Sequence, residues 1–205
     1  MLAYENRIPT NIRKAFTDKV TLIGKTLGFN PNWLMIVMMS ESGLNPKAQN
    51  NNTGGKEPAV GLIQWLTYSA AYVGTTIPAL QKMDALQQLD YVYRYFKAAK
   101  GKIKSILDLY TWTFYPQALG KPNNYILGSD KSPAYAKLVA KLNSPFDSNK
   151  DQKITLGEFM KAARNNPILK PFTDEELGIT GGGIGLILFL GIGYFFKDKI
   201  FKHGN

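Results

Sequence analysis

The strongest constraint on the fold of this chain is an apolar segment that runs directly into a glutamate. Residues 33–39 place hydrophobic side chains on every side of a predicted helix, and such a helix has to be buried. Asn30 and Pro31 form a start signal ahead of it, and Gly43 forms a stop signal behind it. The pattern therefore predicts a central helix that is surrounded by others, with Glu41 at its C-terminal end.

Further helices are expected around this central one. Apolar residues recur at helical spacing over residues 10–27, with Thr10 as the N-cap and Gly28 as the stop. Other helices are predicted near residues 67–73, 78–99, 103–114 and 132–142. Residues 45–58 are rich in Asn, Gly, Lys and Pro, which is typical of a polar loop or a small hairpin. The predicted fold class is therefore mainly α.

Composition narrows the chemistry. The chain has 205 residues, no cysteine and a single histidine, His203, so a Ser–His–Asp or Cys–His mechanism is not expected. Acid–base chemistry must then rest mainly on carboxylates. The net charge of +10 favours an anionic polymer as partner, although a solubility role explains the charge equally well. No recognition helix or phosphate-binding glycine loop is found, so nucleic acid is not expected as this partner.

Glu41 is the best candidate for a catalytic acid. Burial disfavours a charged carboxylate, and so does the negative end of a helix dipole. Both effects favour the protonated form that a glycosidase needs in its general acid. The alternative is that Glu41 faces water at a frayed helix end.

Two short motifs give the chain a family resemblance. The segment ESGLNP, which begins at Glu41, and the segment GLIQ, which ends at Gln64, resemble the paired motifs of soluble lytic transglycosylases and goose-type lysozymes. The resemblance extends over roughly residues 10–145 and includes the stretch QLDYV from Gln88 onwards. It implies a lysozyme-like helical domain that binds peptidoglycan glycan strands.

The resemblance also implies roles for individual residues. Glu41 matches the catalytic acid/base, Ser42 the serine that helps to position it, and Gln64 a residue of the cleft that faces substrate amides. Tyr115 matches a substrate-site tyrosine that is hydrogen-bonded to the glutamate, although Pro116 stands where the family usually has asparagine. Gln64 as a plain hairpin residue and Tyr115 as a plain core aromatic remain the alternatives.

The implied reaction is that of a lytic transglycosylase, which needs one carboxylate and no catalytic cofactor. It cleaves the β-1,4 bond between N-acetylmuramic acid and N-acetylglucosamine and leaves a 1,6-anhydro end. A goose-type hydrolase of the same bond is the alternative, but the loop in which its water-positioning aspartates would lie contains Asn50, Asn51 and Asn52 and no aspartate. A non-catalytic virion membrane protein that binds glycan is a further alternative, against which the intact Glu-Ser pair argues.

Residues 147–158 resemble an EF-hand loop. Oxygen ligands stand at the loop's positions for calcium, with the carbonyl of Lys153 as one of them. The predicted ligands are Asp147, Asn149, Asp151, Lys153, Thr155 and Glu158. Gln152 replaces the glycine that normally makes the sharp turn, so weakened affinity is expected. We predict a structural calcium ion, and the alternative is a relic loop that is held by hydrogen bonds.

Residues 179–196 contain no charge and predict a single C-terminal transmembrane helix, followed by Lys197, Lys199 and Lys202. The N-terminus lacks the pattern of a signal peptide. We therefore expect a lipid bilayer as a partner, in a phage virion or alternatively in a bacterial membrane, with other virion proteins as candidate partners. A buried helix is the alternative. The predicted divisions are a transglycosylase domain at 1–145, the calcium loop and helix at 146–172, and an anchor at 173–205.

Overall fold

The computed structural model describes residues 1–51 and 57–180, and this part of the chain is mainly helical, as predicted. It contains eight α-helices, which are α1 (Thr10–Leu27), α2 (Pro31–Ser42), α3 (Thr67–Tyr72), α4 (Ile77–Lys82), α5 (Ala85–Lys97), α6 (Ile106–Phe114), α7 (Pro133–Leu142) and α8 (Leu156–Arg164). Short 3₁₀ turns lie at Glu5–Arg7, Pro116–Ala118, Ser144–Phe146 and Pro167–Leu169. The arrangement is consistent with a lysozyme-like fold.

Helix α2 forms the centre of the core, because its apolar side chains point in every direction. Residues 34–38 are all buried, and α1 and α6 pack on α2. The predicted start and stop are confirmed. The Asn30 side chain accepts a hydrogen bond from the Asn32 amide at 3.0 Å, and Gly43 ends the helix in the left-handed conformation with φ 63°.

A long helix over residues 78–99 was predicted, and that prediction is wrong. The chain breaks at Met83, which is extended, and two helices result. Asp84 begins α5 with a capping box, in which its side chain accepts from the Gln87 amide at 2.8 Å and the Gln87 side chain accepts from the Asp84 amide at 2.9 Å. This local hydrogen bonding outweighs the continuous apolar pattern. The expected N-cap at Thr10 also moves one residue back, to Pro9.

The polar region between α2 and α3 contains the predicted hairpin. Strand β1 (Gln49–Asn50) pairs antiparallel with β2 (Ala59–Val60), with Gln49 opposite Val60 and Asn50 opposite Ala59. The strands are short, and the buried pair Ala59 and Val60 returns the chain to the core. The hairpin thereby brings the GLIQ segment next to the end of α2.

The segment after residue 145 shares the core of the preceding helices. The Phe159 ring of α8 stacks on Phe114 of α6, with centroids 4.7 Å apart and planes 10° from parallel. Further along, the Trp33 indole donates to the Glu176 carbonyl at 2.8 Å, and the Ile106 amide donates to the Leu177 carbonyl at 2.9 Å. Residues up to about 178 are therefore joined to the central helix.

None of the helices in residues 1–51 and 57–180 combines the length and the apolar character that a membrane span requires. The predicted anchor at 179–196 lies outside these described residues from position 181 onwards.

Candidate active site

Glu41 lies in the last turn of α2 and is 9% exposed. Burial of α2 carries the carboxyl group into the protein, while the left-handed residues Gly43 and Leu44 turn the chain sharply away behind it. The amide of Gly43 donates to the Met39 carbonyl at 3.0 Å, and that of Leu44 donates to the Met38 carbonyl at 3.3 Å. The frayed-end alternative therefore does not hold.

The GLIQ segment forms a tight turn beside this helix end. The Gln64 amide donates to the Gly61 carbonyl at 3.1 Å, and Val60 and Trp65 exchange hydrogen bonds across the base of the turn. Ser42 joins the end of α2 to this turn, because its hydroxyl donates to the Leu62 carbonyl at 3.0 Å. The structure thus brings Glu41, Ser42 and Gln64 into one region.

Gln64 has an unusual conformation for a residue with a side chain. Its φ is 51°, it is 5% exposed, and its side-chain amide donates to the Gly61 carbonyl at 3.2 Å. Left-handed backbone at a non-glycine residue is costly and is concentrated at functional sites. The predicted contact of Gln64 with substrate amides stays a prediction, since this side chain also supports its own turn.

Gln88 is a site residue for which the sequence analysis gave no role. It is fully buried on α5, and its Oε1 accepts from the Leu62 amide at 2.9 Å. Its Nε2 donates to the carbonyls of Pro46 at 2.8 Å and Leu80 at 3.0 Å. One side chain therefore holds the GLIQ turn, the start of the polar loop and the end of α4. Only the position of Gln88 within the QLDYV stretch could have signalled it.

The charge of Glu41 raises the pKa values of two buried tyrosines, in addition to the effect of burial. Burial raises the pKa of Tyr95 well above its ordinary value, and the Glu41 carboxylate raises it further. Burial likewise raises the pKa of Tyr110; hydrogen bonding by Ser40 opposes that rise, whereas the charge of Glu41 adds to it. Tyr95 and Tyr110 therefore stay neutral near Glu41 and form part of its surroundings.

An aromatic pocket of about 150 Å³ adjoins Tyr95. The pocket is formed by α3, α5, α6 and the 3₁₀ turn that follows α6, and its lining residues are Leu66, Tyr68, Ser69, Tyr72, Tyr95, Trp112, Pro116 and Gln117. Tyr72 is 55% exposed, and the indole Nε1 of Trp112 has no hydrogen-bond partner within the described part of the protein. The pocket thus offers exposed ring surface beside Tyr95.

The structure corrects the expected hydrogen bond between Tyr115 and Glu41. The phenol of Tyr115 donates its proton to Asp130 Oδ1 at 2.5 Å, and Tyr125 donates to the same oxygen at 3.0 Å. The physical reason is that a phenol has one proton to donate, and Asp130 accepts it; Tyr115 is 4% exposed between α6 and the 3₁₀ turn that Pro116 begins. A contact of Tyr115 with substrate stays a prediction.

The EF-hand-like loop is held by its own side chains. Asp147 Oδ2 accepts from the Gln152 amide at 2.9 Å, Asn149 from the Asp151 amide at 3.0 Å, and Asp151 from the Lys153 amide at 2.9 Å. Within residues 1–51 and 57–180, no group of three or more His, Cys, Asp or Glu side chains is placed to hold a metal ion. Calcium binding therefore stays a prediction.

The end of that loop is the cap of helix α8. Both backbone amide and hydroxyl of Thr155 donate to Glu158 Oε2, at 2.9 and 2.8 Å, and Ser148 donates to Oε1 at 2.9 Å. Burial alone raises the pKa of Glu158, but these hydrogen bonds outweigh burial and lower it. The capping box also explains why α8 begins at Leu156.

Gln152 has φ 65°, so the turn needs the left-handed conformation that glycine normally supplies there. We expect Gln152→Gly to raise the free energy of unfolding by about 0.5–1 kcal/mol, because the relief of strain exceeds the entropy cost of a glycine. Denaturant unfolding measures this change. Gln152→Ala keeps the Cβ atom and should give no gain; an equal gain from alanine would contradict the explanation.

Comparison with protein families finds a match for the segment that contains most of these site residues. Residues 22–91 match the family model described as "Transglycosylase SLT domain", and this segment contains Glu41, Ser42, Gln64 and Gln88. Comparisons with curated proteins and with solved structures find no match. Members of the matched family are lytic transglycosylases that act on peptidoglycan. The segment 22–91 is therefore similar to an SLT domain, and the chain is an enzyme of the lytic transglycosylase class, with peptidoglycan as its class of substrate.

Proposed function

We propose that Glu41 is the catalytic acid/base, and that the enzyme cleaves the β-1,4 bond between N-acetylmuramic acid and N-acetylglucosamine to leave a 1,6-anhydro end. The observation that carries this proposal is the position of Glu41. It is 9% exposed at the end of a buried helix, beside a strained turn and an aromatic pocket. Burial favours the protonated carboxyl, which can serve as a general acid near neutral pH.

The reaction takes place in two steps around one carboxyl group. In the first, Glu41 gives its proton to the bridging oxygen, the bond from that oxygen to the muramic acid C1 breaks, and the substrate's own N-acetyl group stabilises the positive charge at C1. In the second, the Glu41 carboxylate takes the proton of the C6 hydroxyl, whose oxygen attacks C1. The proton on Glu41 is thereby restored, and the 1,6-anhydro ring forms without water.

The aromatic pocket is proposed to bind a sugar ring of the glycan strand. Tyr72 and Tyr95 present edge-on rings, with centroids 6.5 Å apart, and Trp112 adds a second wall. Aromatic faces bind the apolar faces of pyranose rings. This arrangement supports binding of the substrate on one side of Glu41.

We expect Tyr72→Ala to raise KM for peptidoglycan about tenfold with little change in kcat, because the lost contact is made equally in the ground state and the transition state. Initial rates of muropeptide release at several peptidoglycan concentrations separate the two constants. Leu22→Ala is the matched control, since Leu22 is also exposed, at 65%, but lies on α1 outside the pocket. A loss of kcat with unchanged KM would contradict the proposed role.

Membrane association is part of the proposal. Residues 179–196 carry no charge and are followed by Lys197, Lys199 and Lys202, which supports a C-terminal anchor with a basic flank. A phage virion membrane is the proposed setting, and a bacterial membrane is the alternative. Flotation of the full chain with lipid vesicles tests the anchor, and a chain that stays with the dense fractions would contradict it.

The proposed activity is tested by incubating the full chain with purified peptidoglycan and identifying the ends of the released fragments. Anhydro-muramic ends support the transglycosylase reaction. Reducing ends would instead show the goose-type hydrolase. An absence of released fragments from a folded protein would favour a non-catalytic glycan-binding role.

A further inference from the structure

A buried asparagine from the C-terminal segment reaches the helix that carries Glu41. Asn166 is 1% exposed and lies between α8 and the 3₁₀ turn Pro167–Leu169, far in sequence from the matched segment 22–91. Its Nδ2 donates to Ser40 Oγ at 2.8 Å and to the Tyr110 hydroxyl at 3.1 Å. Its Oδ1 accepts from the Ile168 amide at 2.9 Å. One side chain therefore joins α2, α6 and the C-terminal segment.

These hydrogen bonds of Asn166 reach the residue next to the proposed catalytic acid. Ser40 precedes Glu41 in the last turn of α2, and the charge of Glu41 acts on the buried phenol of Tyr110. The last turn of a helix lacks part of its internal hydrogen bonding and depends on contacts from outside. Asn166 supplies such a contact through the Ser40 side chain.

The turn that contains Asn166 is itself fixed. The Tyr4 hydroxyl donates to the Ile168 carbonyl at 2.7 Å, and the Tyr4 ring contacts Phe172 edge-on, with centroids 5.7 Å apart. Leu169 is fully buried in the common core. Asn166 therefore connects a fixed turn to the end of α2, and a residue that positions a catalytic group needs such a fixed support.

We propose that Asn166 is a positioning residue, which holds the last turn of α2 through Ser40 and Tyr110 so that the Glu41 carboxyl faces the glycosidic oxygen. The inference rests on the proposed function of Glu41. It goes beyond that function because it assigns a catalytic requirement to a segment outside the matched family domain. A displacement of a catalytic group by about 1 Å can cost about a hundredfold in rate, so even a small relaxation of this turn should be measurable.

The test uses the full chain with Asn166→Ser, which keeps a side-chain oxygen to cap Ile168 but is too short to reach Ser40 and Tyr110. The matched control is Asn143→Ser, because Asn143 is also buried, at 3% exposure, and its side-chain amide donates to the Val139 carbonyl of α7. Two readouts are needed. One is kcat and KM on peptidoglycan, and the other is hydrogen exchange of the Gly43 and Leu44 amides.

We expect Asn166→Ser to lower kcat about tenfold with KM within about twofold, and to speed exchange at Gly43 and Leu44. Asn143→Ser should change neither readout, although both variants lose a buried hydrogen bond. Equal kcat for Asn166→Ser and the unchanged chain, or an equal loss in the control, would overturn the inference. If the unchanged chain has no activity, the proposed function fails. The positioning role is tested separately by hydrogen exchange, and unaltered exchange at Gly43 and Leu44 in Asn166→Ser would overturn it.

Discussion

Replacement of Glu41 by glutamine is expected to lower kcat by about a thousandfold or more, because glutamine keeps the shape of the side chain but cannot give a proton to the leaving oxygen. KM should change little, since the glycan still meets the same cleft. Stability should be unchanged or higher, as buried catalytic acids are seldom optimal for folding. Initial rates of muropeptide release, together with denaturant unfolding, measure both effects.

Glu57 provides the matched carboxylate for this comparison. Its side chain accepts from the Thr67 hydroxyl at 2.8 Å, at a half-buried position just before β2. Glu57→Gln should keep kcat within about twofold, because a one-carboxylate mechanism does not use it. If Glu57→Gln lost as much activity as Glu41→Gln, a mechanism with two carboxylates would replace the one proposed.

Gly61→Ala is expected to lower the free energy of unfolding by about 4 kcal/mol. Gly61 has φ 72°, where an alanine costs about 1–2 kcal/mol, and an added Cβ would lie 2.3 Å from Gln88 Oε1. Gln88 would have to move, and the buried Leu62 amide would lose its partner, at about 1–3 kcal/mol. Denaturant unfolding gives this free energy directly.

Gly74→Ala separates the backbone cost of an alanine at positive φ from the cost of the contact with Gln88. Gly74 has a similar φ of 79°, but an added Cβ there would meet nothing within 4 Å. It should therefore cost only about 1 kcal/mol, which is the backbone part. Equal losses from the two substitutions would show that the contact with Gln88 contributes nothing.

Features with a local cause could be predicted from the sequence. The helical spacing over residues 10–27 and the apolar run before Glu41 correspond to α1 and α2, because periodicity and cap residues act within a few positions. The break at Met83 was also local, but the apolar pattern hid the Asp84 capping box. Asp84 and Gln87 have the spacing of a capping box, which predicts a helix start at this position.

Contacts between distant segments could not be predicted in this way. Gln88 and Asn166 each bind three partners across the site, and nothing in their neighbouring residues indicates which carbonyls or hydroxyls they reach. The prediction for Tyr115 was wrong for the same reason. The resemblance implied a hydrogen bond to Glu41, whereas the Tyr115 hydroxyl donates to Asp130. The catalytic candidate was thus predictable, whereas most of the residues that hold it were not.

The most direct test of the proposed reaction is to digest purified peptidoglycan with the full chain in water enriched in heavy oxygen, and to weigh the released muropeptides by mass spectrometry. If the C6 hydroxyl is the nucleophile, the new ends are anhydro-muramic acid, one water lighter than reducing ends and free of the heavy isotope. Glu41→Gln should release none of them. New reducing ends that carry heavy oxygen would contradict the account, because they would show that water attacks C1.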